Sequence, residues 1–367
     1  QLGIGVSTYT EMCGLAPSRI LGQLSYGAGG WEHASIRMLP TGKVEVVTGS
    51  SAHGQGHETA WSQIVADKLG VPFEDVRVLH GDTQIAPKGM DTYGSRSLAV
   101  GGMAVNAACG KVIDKAKVIA AAMLEASPDD LEWEPGRWFV RGDPEQGKTI
   151  GEIALATFAA HALPDGVEPS LDSDATYDPE NFSFPHGTHL CAAEVDTETG
   201  QVTIRSYVAV DDVGMVVNPL IVDGQIHGGL AQGIAQALYE EAVYDNDGNL
   251  VTTTLADYLV PSAADLPDFV TGRTETPATT NPLGVKGVGE AGTIASTPAV
   301  VNAVVDALRP LGVRDVLMPC TPEHVWRAIE EARTGSAPAA PATPPASPAH
   351  DADISPAHGD EQGGSGR

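Results

Sequence analysis

Cysteine is scarce in this chain, and so is positive charge. Four cysteines occur in 367 residues, at Cys13, Cys109, Cys191 and Cys320. They lie far apart and make no C-x-x-C pair, which excludes a zinc knuckle or iron–sulfur cage built from paired cysteines, so any iron–sulfur wiring has to sit on other chains. Lysine and arginine total 21 against 48 acidic residues, a formal charge of -27. A field of that sign repels phosphate backbones and anionic lipid, which disfavours nucleic acid and membrane surfaces as partners. The acidity itself is a solvated surface and carries no catalytic meaning. Uninterrupted apolar runs stay short of the roughly 18 residues of a membrane span, and no basic-then-apolar start marks a secretory signal, so the default compartment is the cytoplasm.

What is present is enough for a sizeable core. With 42% hydrophobic residues, the length predicts about two domains. Residue 1 is Gln, and Gln1 to Ser7 already has the pattern of a mid-fold apolar strand, as in a piece of something larger. From Gly335 to Arg367 the composition collapses into Ala, Pro, Ser, Gly and a few acids, with Ile354 the one aliphatic residue larger than Ala. Such a segment cannot offset its ordering entropy, so 335–367 is expected to be a disordered tail and 1–334 the folded part.

Within the folded part, Glu32 to Met38 alternates, Pro40 to Lys43 makes a turn, and Val44 to Thr48 returns, predicting a hairpin. Trp61, Ile64, Val65 and Leu69 recur at helical spacing until Gly70 and Pro72 stop them. Val76 to Leu79 reads as a buried strand, and an Ala-rich helix is expected from Ser97 to Ala126. The same order returns further on, with strands at Thr188 to Val195 and Val202 to Val210 and a helix from Asn218-Pro219 to Tyr239. Thr41-Gly42-Lys43-Val44-Glu45-Val46 echoes Thr199-Gly200-Gln201-Val202-Thr203-Ile204. A duplicated hairpin-helix-strand-helix unit over roughly 31–126 and 187–308 follows, although T-G-x-V is also an ordinary hairpin turn. Ser127 to Phe184 reads as a connecting segment with one helix near Ile150 to His161.

Three Gly-rich stretches each sit where a strand or loop hands over to a helix, a junction that exposes backbone N–H groups and lets a ligand approach the main chain. The first is Ser50 to Thr59, containing Gly54-Gln55-Gly56-His57. It could present N–H donors to a phosphate or be a tight turn with a helix cap, and its spacing is neither G-x-G-x-x-G nor the P-loop. His53 and His57 have the spacing of a zinc pair, but the glycines between them argue against a helix there. The second, Asp91 to Ser97, brings hydroxyls and the Arg96 guanidinium to a helix start, suited to a pyrophosphate or equally to capping by Ser95 or Ser97. The third, Pro282 to Gly292, holds one Lys and one Glu among glycines ahead of Ser296-Thr297-Pro298, an expected N-cap and N1 pair for a helix from Ala299 to Leu308. Its lone acid can be offered to a ligand without steric competition, or the stretch can be a solvent-exposed turn.

Taken in order, G-Q-G-H-E-T, T-Y-G-S-R-S, the run D-G-Q-I-H-G-G-L-A-Q-G-I at 223–234 and G-V-K-G-V-G-E resemble the molybdopterin-binding half of the xanthine dehydrogenase and aldehyde oxidase family, above all the large chain of its aerobic carbon monoxide dehydrogenases. The resemblance covers nearly all of 1–334. It implies an α+β fold of mixed-sheet, two-layer subdomains, divided as 1–150 and 151–334, with the catalytic Glu in the second. It also implies molybdenum–molybdopterin, as a cytosine dinucleotide, held by its pterin rather than by protein ligands. By this likeness Glu290 is the base beside molybdenum, and Gln55, Gly56 and His57 bind the pyranopterin and its nucleotide. Thr92, Tyr93, Gly94, Ser95, Arg96 and Ser97 reach the metal's outer ligands and the pterin, while Lys286, Gly287, Val288 and Gly289 line the same site. Cys191, Ala192 and Gln225 are further contacts by the same likeness. From the residues alone, Cys191 is a buried thiol and Gln225 a polar helix-start residue.

The implied reaction is hydroxylation of a carbon centre with water as oxygen source. Electrons would leave through an Fe–S small subunit and an FAD medium subunit. The family's large subunit is about twice as long, and its first half carries the loop that decides between carbon monoxide, aldehydes and N-heterocycles, so that half is an expected partner. A non-catalytic molybdopterin-binding or assembly module is the alternative. An ATP-binding role is disfavoured because Lys286 lacks a following Ser or Thr.

Overall fold

Two hairpins, each extended to a four-stranded sheet, organise the computed structural model, which describes residues 1–335. The expected tail lies outside the described residues apart from Gly335, which caps the last helix. The chain opens with β1 (Leu2–Thr10) and a short helix α1 (Ser18–Gln23). β2 (Glu32–Met38) and β3 (Val44–Thr48) pair antiparallel, with Val44, Val46 and Thr48 buried and Glu45 and Val47 turned outward, the period-two pattern of a half-buried strand. α2 (His57–Leu69) buries Trp61, Ile64, Val65 and Leu69 on one face and stops at Gly70, whose left-handed backbone (φ 67°) lets its N–H bond back to Ala66. β4 (Val76–Leu79) returns parallel to β3. A wide π-type turn over Ser97–Gly102 then leads into α3 (Met103–Met123), whose buried alanines, Ala108, Ala116 and Ala120 among them, let it lie close against β2 and the last strand of this sheet.

The segment read as a connection holds more structure than its composition suggests. β5 (Leu131–Glu134), β6 (Arg137–Val140) and β7 (Asp143–Thr149) form a separate antiparallel sheet before α4 (Ile150–Ala159). β5 and β6 have four residues each and β7 is polar, and what fixes the sheet is tertiary: Trp133 packs on Trp138 with ring centroids 5.3 Å apart, and the Trp138 indole donates to the Ile113 carbonyl of α3 at 3.3 Å. β8 (Leu171–Tyr177) then pairs antiparallel with β2.

The second half repeats the plan. β9 (His186–Val195) and β10 (Val202–Asp212) form the hairpin, α5 (Pro219–Leu238) follows, and β11 (Phe269–Thr274) runs parallel to β10. The start of α5 is the expected one, with the Asn218 side chain accepting the Ile221 N–H at 3.0 Å and Pro219 in the first turn. α6 (Ala291–Ile294), α7 (Ser296–Leu308) and α8 (Pro322–Thr334) complete the chain. Thr297 does not cap α7, which begins one residue earlier; Pro298 sits in the first turn, where its missing N–H costs nothing, and the Thr297 hydroxyl donates to the Gly233 carbonyl. The stretch Ala291–Leu311 has a mean hydropathy of 1.3, and over half of its most apolar window is buried, so its apolarity serves packing within the molecule.

The strand orders β4-β3-β2-β8 and β11-β10-β9-β1 match position for position, with the same parallel and antiparallel pairings. The duplicated hairpin-helix-strand-helix unit is therefore present. The division expected at 150/151 is not where the cores part. The first core runs from Ala34 to Ala175 and includes α4 and β8, while the second runs from Cys191 to Ile329 and takes its edge strand, β1, from the start of the chain.

Candidate active site

Each half has two loops that leave a strand and enter a helix, and all four open on one cavity of about 510 Å³. The β3–α2 loop brings Gln55 and His57, and the segment after β4 brings Thr92, Tyr93, Gly94, Ser95 and Ser97. The β10–α5 loop brings Met215 and Asn218, with Gln225 from α5 itself, and the segment before α6 brings Lys286 through Glu290. Helix starts thus face the cavity from several sides, with N–H groups that have no partner inside their own helix. The three stretches singled out by sequence meet here. The fourth loop was missed, although the duplication carried the signal: residues 213–218 occupy in the second half the place that 49–56 occupy in the first.

Glu290 stands at the junction of the halves. The Ser95 hydroxyl donates to Glu290 Oε2 at 2.6 Å and accepts the Glu290 N–H at 3.1 Å, so one serine fixes both the carboxylate and its backbone. Ser95 does this from a left-handed backbone (φ 51°). The close approach depends on Gly287, where a Cβ would fall 2.1 Å from the Ser95 carbonyl oxygen and 2.7 Å from Cys13 Sγ. Asp91 ties the first two loops together by accepting from the Ser51 N–H at 2.9 Å and the Thr92 N–H at 2.8 Å, and these bonds outweigh its partial burial to hold its carboxyl below the usual carboxylate range. Thr92 adds a bond from its hydroxyl to the Ser51 carbonyl at 2.8 Å and receives one from the Ser97 hydroxyl at 2.8 Å.

His57 and Trp61 form the most sheltered part of the wall. Their rings stack with centroids 4.9 Å apart, both are buried, and His57 Nδ1 and Trp61 Nε1 have no hydrogen-bond partner within the protein. Burial pushes His57 down to about 4, so it is neutral near pH 7. Buried polar atoms left unpaired on a cavity wall suit a ligand that supplies the missing partners.

Two charged residues expected to meet the cofactor have other partners. Arg96 does not reach the cavity: it is wholly buried, 3.1 Å from Glu32, and its guanidinium also donates to the carbonyls of Leu15, Gly30, Trp31 and Asp91. It locks the second loop from behind, because those inward carbonyls offer a planar donor more acceptors than the cavity does. The Lys286 ammonium lies 2.7 Å from Asp212 Oδ1; Asp212, although burial opposes it, is drawn down to about 2 by that bond and by others from Thr276, Gly214 and Thr274. Lys286 lines the cavity without offering it a free cation.

Three more expected contacts are not on the wall. Gly56 caps α2 in a left-handed conformation, and a Cβ there would point at Ile221, at 2.8 Å. Cys191 and Ala192 do not line the cavity: both sit within β9, with the Cys191 thiol buried in the second core, as expected of an apolar strand position facing α5 and α7. Glu11, just past β1, was not singled out by sequence. Burial and the neighbouring Glu290 carboxyl push it up to about 7.

A duplicated fold closing four loops around one cavity, with a single carboxylate pinned across the junction, can be compared with known proteins as a unit. Residues 1–267 match the molybdopterin cofactor-binding domain. The chain belongs to that family. This molybdopterin cofactor-binding domain is 42% identical over 330 residues to the carbon monoxide dehydrogenase large chain of Hydrogenophaga pseudoflava, covering 90% of this chain and 41% of that one. It superposes on reconstituted CO dehydrogenase from Oligotropha carboxidovorans with a TM-score of 0.85 at 39% identity, over 91% of this chain and 41% of that one. Against quinoline 2-oxidoreductase from Pseudomonas putida 86 the TM-score is 0.84 at 41% identity, over 90% and 42% of the respective chains. The domain thus spans about two fifths of the length of the relatives it matches. The family match stops at residue 267, short of Glu290.

Proposed function

We propose that the chain is the molybdopterin-holding part of the large subunit of a molybdenum hydroxylase, and that Glu290 is its proton acceptor. The observation that carries this reading is the Ser95–Glu290 pair, which fixes one carboxylate on the cavity wall at the meeting of both halves. The cavity is of a size for a cofactor, and His57 Nδ1, Trp61 Nε1 and the N–H groups at the start of α2 are donors or acceptors that a pterin could satisfy. When bound, the molybdenum centre supplies two-electron oxidation of a carbon centre with water as the oxygen source.

The chain's own share is positional. Ser95 holds Glu290 Oε2 in place, Gln55 and His57 contact the pterin and its appended cytosine nucleotide, and Thr92 and Ser97 brace the loop that faces the metal. The proposal includes an Fe–S small subunit and an FAD medium subunit as electron acceptors, the remaining part of the large subunit as the holder of the substrate loop, and the cytoplasm as compartment. Four free, buried cysteines accord with a reducing compartment. Relatives named for carbon monoxide and for quinoline match this chain about equally well, which supports placing the choice of substrate outside it.

Glu290→Gln in the assembled enzyme tests the reading. It should leave molybdenum content intact and lower kcat at least about a hundredfold, the usual loss for a general base. Activity within a few-fold of wild type at full molybdenum loading would eliminate Glu290 as the base. Absence of molybdenum from the wild-type chain, alone or with its partners, would favour a scaffold without catalytic function.

A further inference from the structure

The outer side of the second sheet is apolar and uncovered. Its inner side packs on α7, so closely that a Cβ at Gly3 or Gly5 of β1 would fall 2.1 or 1.9 Å from the carbonyl oxygens of Ala303 and Ala299. A one-residue slip of β1 would drive a side chain into that contact, so the register is fixed and Leu2, Ile4 and Val6 point outward. Val6 lies opposite Leu190, Leu190 opposite Val208 and Val208 opposite Val270, which lays one aliphatic row across all four strands. Leu2 is 65% exposed, Ile4 59% and Val270 58%. The rows on either side, Ile4–Ala192–Ser206 and Thr8–Thr188–Val210, hold no charge, and Glu194 and Arg205 beyond them are bonded to each other.

The same side of the first sheet is built differently. Arg37 lies between Asp172 and Glu45, and Ser35 lies beside Asp174. One architecture used twice therefore does not itself require an apolar outer side. A continuous aliphatic row left open to water marks an interaction surface.

We propose that the remaining part of the large subunit docks on this face through an apolar surface of its own, an inference that rests on reading the chain as one part of such a subunit. Three observations select this occupant. The chain spans about two fifths of the length of its relatives, so a body larger than the chain itself has to be seated against it. A second copy would bring together two chains of formal charge -27 across a face whose cation, Arg205, is already committed to Glu194. The face also borders the cavity, since β10 runs from Val210 into the loop that brings Val213 and Met215 to the cavity wall. A body seated there stands beside the cavity, where a substrate-selecting loop has to enter. It meets the face of the sheet and adds no strand to β1, because side chains of α7 hold that edge: the Ile4 N–H donates to Asp306 Oδ2 at 2.9 Å, and the Asn302 amide donates to the Val6 carbonyl at 3.0 Å.

Photo-reactive benzoylphenylalanine placed at Val270 or, separately, at Ile4 of the assembled enzyme tests the proposal. Both side chains are exposed, so neither replacement disturbs the core. Illumination should join each to peptides of the remaining part of the large subunit, identified by mass spectrometry. Links to a second copy of this chain, to an Fe–S or FAD subunit, or to nothing overturn it. Hydroxyl-radical oxidation needs no replacement: Leu190 and Val270 should be oxidised several-fold less in the assembled wild-type enzyme than in this chain alone, and equal oxidation in the two overturns the proposal. Links formed as expected in an assembly that holds no molybdenum would sink the functional reading and leave the docking face standing. Links to a second copy in a molybdenum-loaded enzyme would do the reverse.

Discussion

Arg96 offers the sharpest test of how the site is built, because its charge holds a loop from inside and never meets the cavity. Arg96→Met keeps the bulk of the stem and removes the guanidinium from beside Glu32, whose side chain, like that of Arg96, is fully buried. Removing one partner of a buried ion pair typically costs about 3–5 kcal/mol. The carbonyls of Leu15, Gly30, Trp31 and Asp91 also lose a donor, and each buried acceptor left unsatisfied costs about 1–3 kcal/mol. These terms are not additive, and Glu32 keeps bonds from the His33 and Met90 N–H groups at 2.9 and 3.2 Å. The expected loss is about 4–6 kcal/mol, a large share of the roughly 5–15 kcal/mol that stabilises a typical domain. Urea unfolding followed by tryptophan fluorescence measures it. Adding Glu32→Gln to Arg96→Met should recover a good part of the loss, since no charge is then stranded, and Arg96→Lys should fall between. An Arg96→Met chain within about 1 kcal/mol of wild type would refute the reasoning, because that is the scale of an ordinary surface change.

Lys286→Met strands the buried Asp212 and should cost about 3 kcal/mol, measured by the same unfolding assay. Asp212 is lowered from 3.8 to about 2 in the folded chain, so its contribution is present above about pH 4 and is lost as pH falls through 2; the variant should unfold at a higher pH on acid titration than wild type. Trp61→Phe removes a buried N–H that has no partner in the protein, so the cofactor-free chain should keep or slightly gain thermal stability. The same change should weaken molybdopterin retention about tenfold on gel filtration, and a stability loss of several kcal/mol with unchanged retention would show that the indole serves packing alone.

The elements that were legible in sequence are those whose cause is local. Alternation from Glu32 to Met38, helical spacing from Trp61 to Leu69, and the Asn218-Pro219 start of α5 each depend on a few neighbouring residues and reappear nearly unchanged. The echoed hexapeptides at Thr41 and Thr199 sit at equivalent hairpin turns of the two matching sheets, so the faint repeat reflected architecture. β5 to β7 were hidden because β5 and β6 are only four residues each, β7 is polar, and the sheet is anchored by Trp138 reaching the α3 carbonyl of Ile113. Where a charge points is equally non-local. Arg96 is drawn inward by Glu32, 64 residues away, and Lys286 by Asp212, 74 residues away. The place of β1 is non-local too, since it pairs with β9 in the second sheet, a partner that nothing in the pattern around Tyr9 or Cys13 announces.

The central claim is that four loops from two repeats enclose one molybdopterin with Glu290 at its metal end. Anomalous diffraction at the molybdenum edge, on crystals of the assembled enzyme, locates the metal directly. A single peak in the cavity between the Ser95 and Lys286–Glu290 segments, next to the Glu290 carboxylate, is the predicted result. A peak outside that cavity, or one on the far side of it from Glu290, would contradict the account.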